Sequence, residues 1–222
     1  ACGLSLPTFE PQSPTLPVGQ GITSICAADL NGDGLTDLAI AGATGAVSVL
    51  PATGLDVYGA PLVFPSGGDV GSVCAADFNG DGKIDLAVGH GFQGRITILE
   101  NDTATGGEIH FAAPRVLNAS NLGIGLRVAR LNGDSLPDLV SIRTPNGIAA
   151  FLNNGDFNFT AGPTFAGVGT TNGLHVADFD LDGLDDIVLA SSSGNVTRVI
   201  RSTGSGFALV QDVSGFVTPT TV

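Results

Sequence analysis

Aspartate and asparagine residues cluster in three nine-residue segments that share one pattern. The segments begin at Asp29, Asp77 and Asp178, and each reads D-x-[DN]-x-D-G-x-x-D. Side-chain oxygens fall at positions 1, 3, 5 and 9, a backbone carbonyl is available at position 7, and the glycine at position 6 permits a sharp turn. Anionic, all-oxygen ligation is what Ca²⁺ prefers, whereas Zn²⁺ prefers Cys or His. The pattern therefore predicts three calcium sites.

The pattern assigns five ligands to each loop, with the residue at position 7 contributing its carbonyl. They are Asp29, Asn31, Asp33, Leu35 and Asp37; Asp77, Asn79, Asp81, Lys83 and Asp85; and Asp178, Asp180, Asp182, Leu184 and Asp186. Two carboxylates ~5 Å apart repel by roughly 3 kcal/mol at an effective dielectric constant of ~20, so the clustering is costly unless a cation offsets it. The alternative interpretation is that these are Asp/Asn/Gly turns selected for tight bends.

A fourth segment follows the pattern incompletely. It starts at Arg130, keeps Asn132, Asp134 and Asp138, and has Ser135 in place of the glycine. A guanidinium at the first position can form an ion pair with Asp134 or Asp138 and replace the metal. We therefore expect no Ca²⁺ in this loop.

The four loops mark an internal repeat, because their first positions are separated by 48, 53 and 48 residues. Short apolar or alternating segments flank each loop, separated by Gly, Pro, Asn and Thr clusters, as expected for strands and turns. One repeat of this length suits one four-stranded blade of a β-propeller. The sequence predicts an all-β fold, a single propeller domain over 1–222 with blades at about 22–65, 71–117, 122–165 and 170–213.

Composition restricts the class of protein. Glycine accounts for 33 of the 222 residues, which argues against a helix bundle, and no apolar run approaches the length of a membrane span. The formal net charge is −13, and 13 of the 21 acidic residues lie in the four loop segments. Because no basic cluster is available to release counterions, a nucleic acid is not expected as a partner.

The loop followed by Leu38, Leu86 or Ile187, set in a repeat of about 50 residues, resembles the FG-GAP/VCBS repeat of integrin α-subunit-like β-propellers. The resemblance covers nearly the whole chain. It implies a calcium-stabilised propeller, most often seven-bladed, in a secreted or cell-surface protein. Such propellers bind proteins or glycans, and some accompany polysaccharide-cleaving enzymes.

Four repeats fall short of seven, and an additional outer strand is expected at 8–16. Two alternatives follow: the chain is a piece of a longer propeller, or two copies assemble into a larger ring. Blades bury their faces against neighbouring blades, so an incomplete ring leaves two apolar faces uncovered. We expect a homodimer or another form of self-association.

The residue three places before each loop is Cys26, Cys74, Arg127 or His175, and we expect these side chains to line the central channel. They indicate either a channel site for a metal or small anion, or small side chains that fill a narrow channel. With Cys2, the three cysteines are too few for a disulfide framework. His90 and His110 have no obvious acidic partner in sequence.

Two function classes remain. The first is an extracellular binding or adhesion module for a glycan or protein; the second is the propeller domain of a secreted polysaccharide lyase or hydrolase. The chain contains no G-x-S-x-G, H-E-x-x-H or phosphate-cradling motif, which favours the binding module.

Overall fold

The structure is a computed structural model that describes residue 18 and residues 20–42, 45–55, 57–167 and 169–214. Four antiparallel sheets of four strands follow one another along the chain, which confirms the predicted all-β, bladed fold. The leading strand expected at 8–16 and Cys2 lie outside the described residues. Each four-stranded sheet is called a blade below, numbered one to four in chain order.

The first two blades contain the following elements. Blade one holds β1 (Ile22–Ala28), β2 (Asp37–Gly42), β3 (Ala46–Leu50), a short hairpin of β4 (Ala52–Gly54) and β5 (Val57–Tyr58), and the outer strand β6 (Leu62–Pro65). Blade two holds β7 (Ser72–Ala76), β8 (Asp85–His90), a 3-10 turn at Gly91–Gln93, β9 (Arg95–Leu99) and β10 (Arg115–Asn118).

The last two blades have longer outer strands. Blade three holds β11 (Leu122–Ala129), β12 (Asp138–Arg143), β13 (Ile148–Asn153) and β14 (Phe159–Phe165). Blade four holds β15 (Thr171–Ala177), β16 (Asp186–Ser191), β17 (Val196–Ser202) and β18 (Phe207–Ser214). No helix in the described part of the chain is long and apolar enough to cross a membrane.

The innermost strands of successive blades pack side by side, β1 on β7, β7 on β11 and β11 on β15. Three apolar clusters form the core, and each lies between two successive blades. The cluster between blades one and two, for example, joins Val47 and Val49 to Val73 and Leu86. Since burying an aliphatic side chain contributes about 1.5–3 kcal/mol, the contact between blades is the main source of stability.

The blades at the two ends of the row each leave one face uncovered within the described structure. Ile25 on blade one is 57% exposed, whereas its equivalents Val73, Leu126 and Leu174 are buried against the preceding blade. On the opposite side, Val188 of blade four is partly exposed. Its equivalents Ala39, Ala87 and Val140 are buried by the blade that follows. The described residues therefore form an open ring.

An asparagine side chain fastens each of the two middle blades to the blade before it. The Asn101 amide donates to the carbonyls of Leu30 in blade one and Ile84 in its own blade, at 2.7 and 2.8 Å. Asn153 donates in the same way to Phe78 and Pro137, at 2.9 and 3.1 Å. Each such buried hydrogen bond contributes about 1 kcal/mol and fixes the angle between adjacent blades.

The equivalent residues in the end blades lack this bond. Blade one has Ala52 at this position. Blade four has Ser202, whose hydroxyl donates to the Asp185 carbonyl of its own blade at 2.5 Å. Blade four is fastened to blade three by another pair of bonds instead: the Asp185 amide donates to the Arg130 carbonyl at 2.8 Å, and the Arg130 amide to the Asp185 carboxylate at 2.7 Å.

Candidate metal centre

The aspartate at position 9 anchors each loop in the same way. One oxygen of Asp37 accepts the Leu30 amide at the start of the loop, at 2.8 Å, and the other accepts the Ala52 amide after β3, at 2.7 Å. The same pair of bonds is made in the other three blades by Asp85, Asp138 and Asp186. All four carboxylates are buried. A carboxylate has about four lone-pair sites, so two remain for a further ligand.

Burial makes the ionised form of these carboxylates unfavourable. It raises the pKa of Asp85 to about 6, although the amides of Asn101 and Phe78 act in the opposite direction. Burial also raises the pKa of Asp37, Asp138 and Asp186, with the loop carboxylates adding to the effect. A cation in the loop would offset this cost, because an adjacent positive charge favours the carboxylate.

The aspartate at position 1 organises the intact loops around itself. Asp29 accepts the amides of Gly32, Asp33 and Gly34 at 2.7–3.2 Å, and Asp77 and Asp178 accept equivalent amides in their loops. The glycine at position 6 has a φ of 84° in Gly34 and Gly82 and 91° in Gly183, a conformation that other residues rarely adopt. The predicted need for glycine at this position is confirmed.

The fourth loop brings acidic oxygens closest to a metal-binding arrangement. Asp178, Asp180 and Asp186 each offer an oxygen, and these atoms lie within 4.8 Å of one another. Arg201 of β17 approaches the same loop, with its Nη1 3.5 Å from an Asp180 oxygen. This arginine lies 21 residues from Asp180 and was not identified from the sequence, since no local pattern connects it to the loop.

The third loop differs from the intact loops, and the ion pair expected within it is not the one observed. Arg130 approaches Asp185 of blade four, with Nε 3.7 Å from Oδ2, whereas pairing with Asp134 or Asp138 was expected. The reason is geometric: the first loop position faces the following blade. Without a carboxylate at position 1 the loop amides lose their common acceptor, and Ser135 does not adopt the positive φ of the glycines.

The prediction that Cys26 and Cys74 line the central channel is wrong. Cys26 packs against the core cluster between blades one and two, and Cys74 is buried in the next cluster. An inner strand packs against the preceding blade with one face and against the following blade with the other. Side chains that alternate with Val73 and its equivalents therefore contact the following blade instead of the channel. Both thiols are free, and burial raises the pKa of Cys26 to about 12 and that of Cys74 further.

The remaining candidates occupy different places. Arg127 borders a cleft between the inner strands, and His175 is exposed on the uncovered face of blade four. His90 is buried, with Nδ1 3.1 Å from the Asp69 carbonyl and Nε2 2.9 Å from the Thr97 hydroxyl, and burial lowers its pKa. His110, for which the sequence suggested no acidic partner, contacts the carboxylate of exposed Asp102 through Nδ1.

The chain consists of four-stranded blades, and an aspartate-containing loop follows the inner strand of each. This arrangement is that of a β-propeller built from sequence repeats. The family model of the FG-GAP-like repeat matches residues 29–88, 77–141 and 130–189. The chain therefore belongs to the FG-GAP-like repeat family, which confirms the resemblance noted from its loops. A search of curated protein sequences gives no match.

Solved structures share the fold at low sequence identity. A crystal structure of BBS1N in complex with ARL6DN, soaked with lead, has a TM-score of 0.62 at 16% identity, and the match covers 91% of this chain and 59% of that chain. The mercury-soaked crystal of the same complex gives a TM-score of 0.63 at 17% identity, with 93% and 58% covered.

A lectin from Agrocybe aegerita that recognises non-reducing terminal N-acetylglucosamine has a TM-score of 0.62 at 20% identity. The match covers 86% of this chain and 52% of the lectin chain. The chain thus spans little more than half the length of the structures it matches, and at these identities the likeness concerns the fold alone.

The position-9 aspartate should stabilise the fold independently of any metal, and the third loop offers the clean test. Asp138→Ala leaves two buried amides without acceptors, so we expect the free energy of unfolding to fall by about 2–4 kcal/mol. Asp134→Ala, in the exposed part of the same loop, is the matched control and should cost under about 1 kcal/mol. Urea denaturation measures both variants. Equal losses, or a loss at Asp138 that appears only with Ca²⁺ present, would contradict the structural role.

Proposed function

We propose that this chain is a calcium-stabilised propeller segment that acts outside the cell as a binding module for a protein or glycan ligand. The observation that carries the proposal is the common geometry of the three intact loops. In each, a position-1 carboxylate accepts loop amides and the position-9 carboxylate is buried, and in the loop that begins at Asp178 their oxygens lie within 4.8 Å of one another. Such a donor set fits Ca²⁺ and no softer metal.

The residues that would hold the ion are the fifteen assigned from the sequence. Bound Ca²⁺ would supply the positive charge that the clustered carboxylates lack, and its role would be structural. Extracellular modules of this chemistry typically hold Ca²⁺ with dissociation constants of about 0.1–1 mM, which suits a secreted or cell-surface protein.

We expect three Ca²⁺ per chain, and a melting temperature that falls when Ca²⁺ is chelated. Binding to the folded loops alone adds ~2.7 kcal/mol per site at a hundredfold excess over the dissociation constant. Metal analysis after equilibrium dialysis gives the stoichiometry, and thermal melts with EDTA or millimolar Ca²⁺ give the stabilisation. Asp29→Ala, Asp77→Ala and Asp178→Ala should each remove one ion.

Two matched variants control this experiment. Asp69→Asn removes an exposed carboxylate at the other end of the blades, and Arg130→Ala alters the degenerate loop; neither should change the stoichiometry. Coincident melts with and without Ca²⁺ would show that the loops are turns and not metal sites.

The ligand class is proposed from the fold and its neighbours, one of which is a complex with a protein partner and another a glycan-specific lectin. We expect a glycan array probed with the calcium-loaded chain to show saturable binding that EDTA abolishes. The same array probed with the Asp29→Ala, Asp77→Ala and Asp178→Ala triple variant is the control. If neither EDTA nor the triple substitution changes glycan binding, the ligand site does not depend on the loops. If the array shows no binding, a protein ligand is the remaining class.

The uncovered faces of blades one and four suggest how the ring is completed. The uncovered face of blade four is equivalent to the face that each earlier blade packs against the next blade. The uncovered face of blade one is equivalent to the face that each later blade packs against the preceding blade. Blade four of one chain could therefore pack against blade one of a second chain. Two chains related by a twofold axis would form both missing interfaces at once and give an eight-bladed ring.

We therefore expect a concentration-dependent homodimer in multi-angle light scattering. Ile25→Asp puts a charge on the uncovered face of blade one and should give the mass of a single chain. Val116→Asp, at a residue of the outer strand β10 that is similarly exposed, should leave the mass unchanged. A single-chain mass for the unmodified protein at micromolar concentration would refute the paired ring.

A further inference from the structure

The inner strands of all four blades border one open cleft of about 200 Å³. Its residues come from the beginnings of these strands, such as Ser24, Ser72 and Asn172, whereas the aspartate loops follow the strand ends. Ser24 lies five positions before Asp29, so at about 3.3 Å per residue it is ~16 Å from the start of that loop. The cleft is therefore separate from the candidate metal centre.

The cleft contains hydrogen-bond donors that the described protein does not use. Ser72 is 3% exposed, and its hydroxyl has no hydrogen-bond partner among the described residues. Arg127 donates only through Nη1, to the Leu126 carbonyl at 2.9 Å, which leaves Nε and Nη2 available. Asn172 accepts the Ser192 hydroxyl through Oδ1 at 2.8 Å, so its amide nitrogen is also available. The Ser72 oxygen is not fully buried, so it is open to the cleft and its hydroxyl can donate to a bound group there.

The charge at this end of the blades is opposite in sign to that at the loops. Arg95, Arg143 and Arg198 lie near the ends of strands on this side, in addition to Arg127. Among the described residues, the acidic ones on this side are Asp69 and Asp212, and Asp212 is already bound by Arg198 at 2.6 Å. The acidic loops lie at the other end, so an anion can approach the cleft in spite of the net charge of −13.

We propose that the cleft binds a small organic carboxylate. A guanidinium presents parallel N–H groups that match the two oxygens of a carboxylate, and its single charge balances that of a monoanion. The Ser72 hydroxyl and the Asn172 amide supply the further donors that a carboxylate accepts. Ile124, Ile142 and Leu174 line the same cleft and suit a short aliphatic or sugar body. A metal cation would be repelled by Arg127 and would find no acidic side chain among the cleft-lining residues.

The test is an NMR titration of the full chain with paired charged and neutral probes. Propionate and propionamide compare an acid with its amide, and glucuronate and glucose do so for a sugar. An acetylated Gly-Ala dipeptide compares a free C-terminal carboxylate with an amidated C-terminus. We expect the charged member of at least one pair to shift the resonances of the cleft residues saturably, and its neutral partner to leave them unchanged.

Three variants locate the binding. Arg127→Gln should weaken carboxylate binding at least about tenfold, because it removes a charge-assisted hydrogen bond. Arg143→Gln is the matched control, since Arg143 follows Ile142 and points to the other face of β12; it should bind as the unmodified chain does. Ser72→Ala should melt no lower than the unmodified chain, because its hydroxyl has no partner to lose, yet bind about two- to tenfold more weakly.

The proposal stands if affinity follows Arg127 and Ser72 and requires the carboxylate. It is overturned if no charged probe shifts the cleft resonances, if the neutral probes bind equally, or if Arg143→Gln weakens binding as much as Arg127→Gln. If Arg127→Gln fails to fold, Ser72→Ala decides alone, because it leaves the charge and the packing of the cleft in place. Neither variant touches the calcium loops, so the outcome is independent of the metal proposal.

Discussion

A buried carboxylate that accepts two backbone amides is the interaction on which each blade depends. Asp37, Asp85, Asp138 and Asp186 tie the start of the loop to a residue at the end of the third strand or just beyond it, and so bring three segments of the chain to one point. Asp138 makes the same two hydrogen bonds in the third loop, although an arginine occupies position 1 of that loop. Loop closure and metal binding are therefore separable, because the position-9 aspartate makes its two hydrogen bonds even where position 1 has no carboxylate.

The same point in each blade also determines how blades join. Asn153 ends the third strand of its blade and Asn101 lies just beyond the third strand of its own, and the side chains of both reach the loop of the preceding blade. Apolar clusters fill the remaining contact, with one cluster for each pair of neighbours. Stability is consequently distributed along a row of interfaces, as in other repeat proteins, and the two end faces are where the row can be extended.

Features encoded in short segments of the sequence could be predicted, and features that depend on the rotation between blades could not. The loop pattern, the glycine at Gly34 and the four-stranded repeat are local, and the structure has all three. The position of Cys74 and the partner of Arg130 depend on which surface of a strand faces the next blade. Asp185 lies 55 residues from Arg130, and no spacing within one repeat connects them. The cleft is also non-local, since four strands from four blades form it.

In the described part of the chain, the loop carboxylates lie at one end of the blades and Arg95, Arg127, Arg143 and Arg198 lie towards the other, which gives this part an electric dipole along the blades. Three bound calcium ions would cancel six of the 13 net negative charges, all at the acidic end, and would weaken that dipole without changing the arginines of the other end. Calcium would then alter how the chain turns in the field of a charged surface during diffusional encounter. The effect would be strongest at low ionic strength, because salt screens fields beyond about 10 Å at 0.1 M.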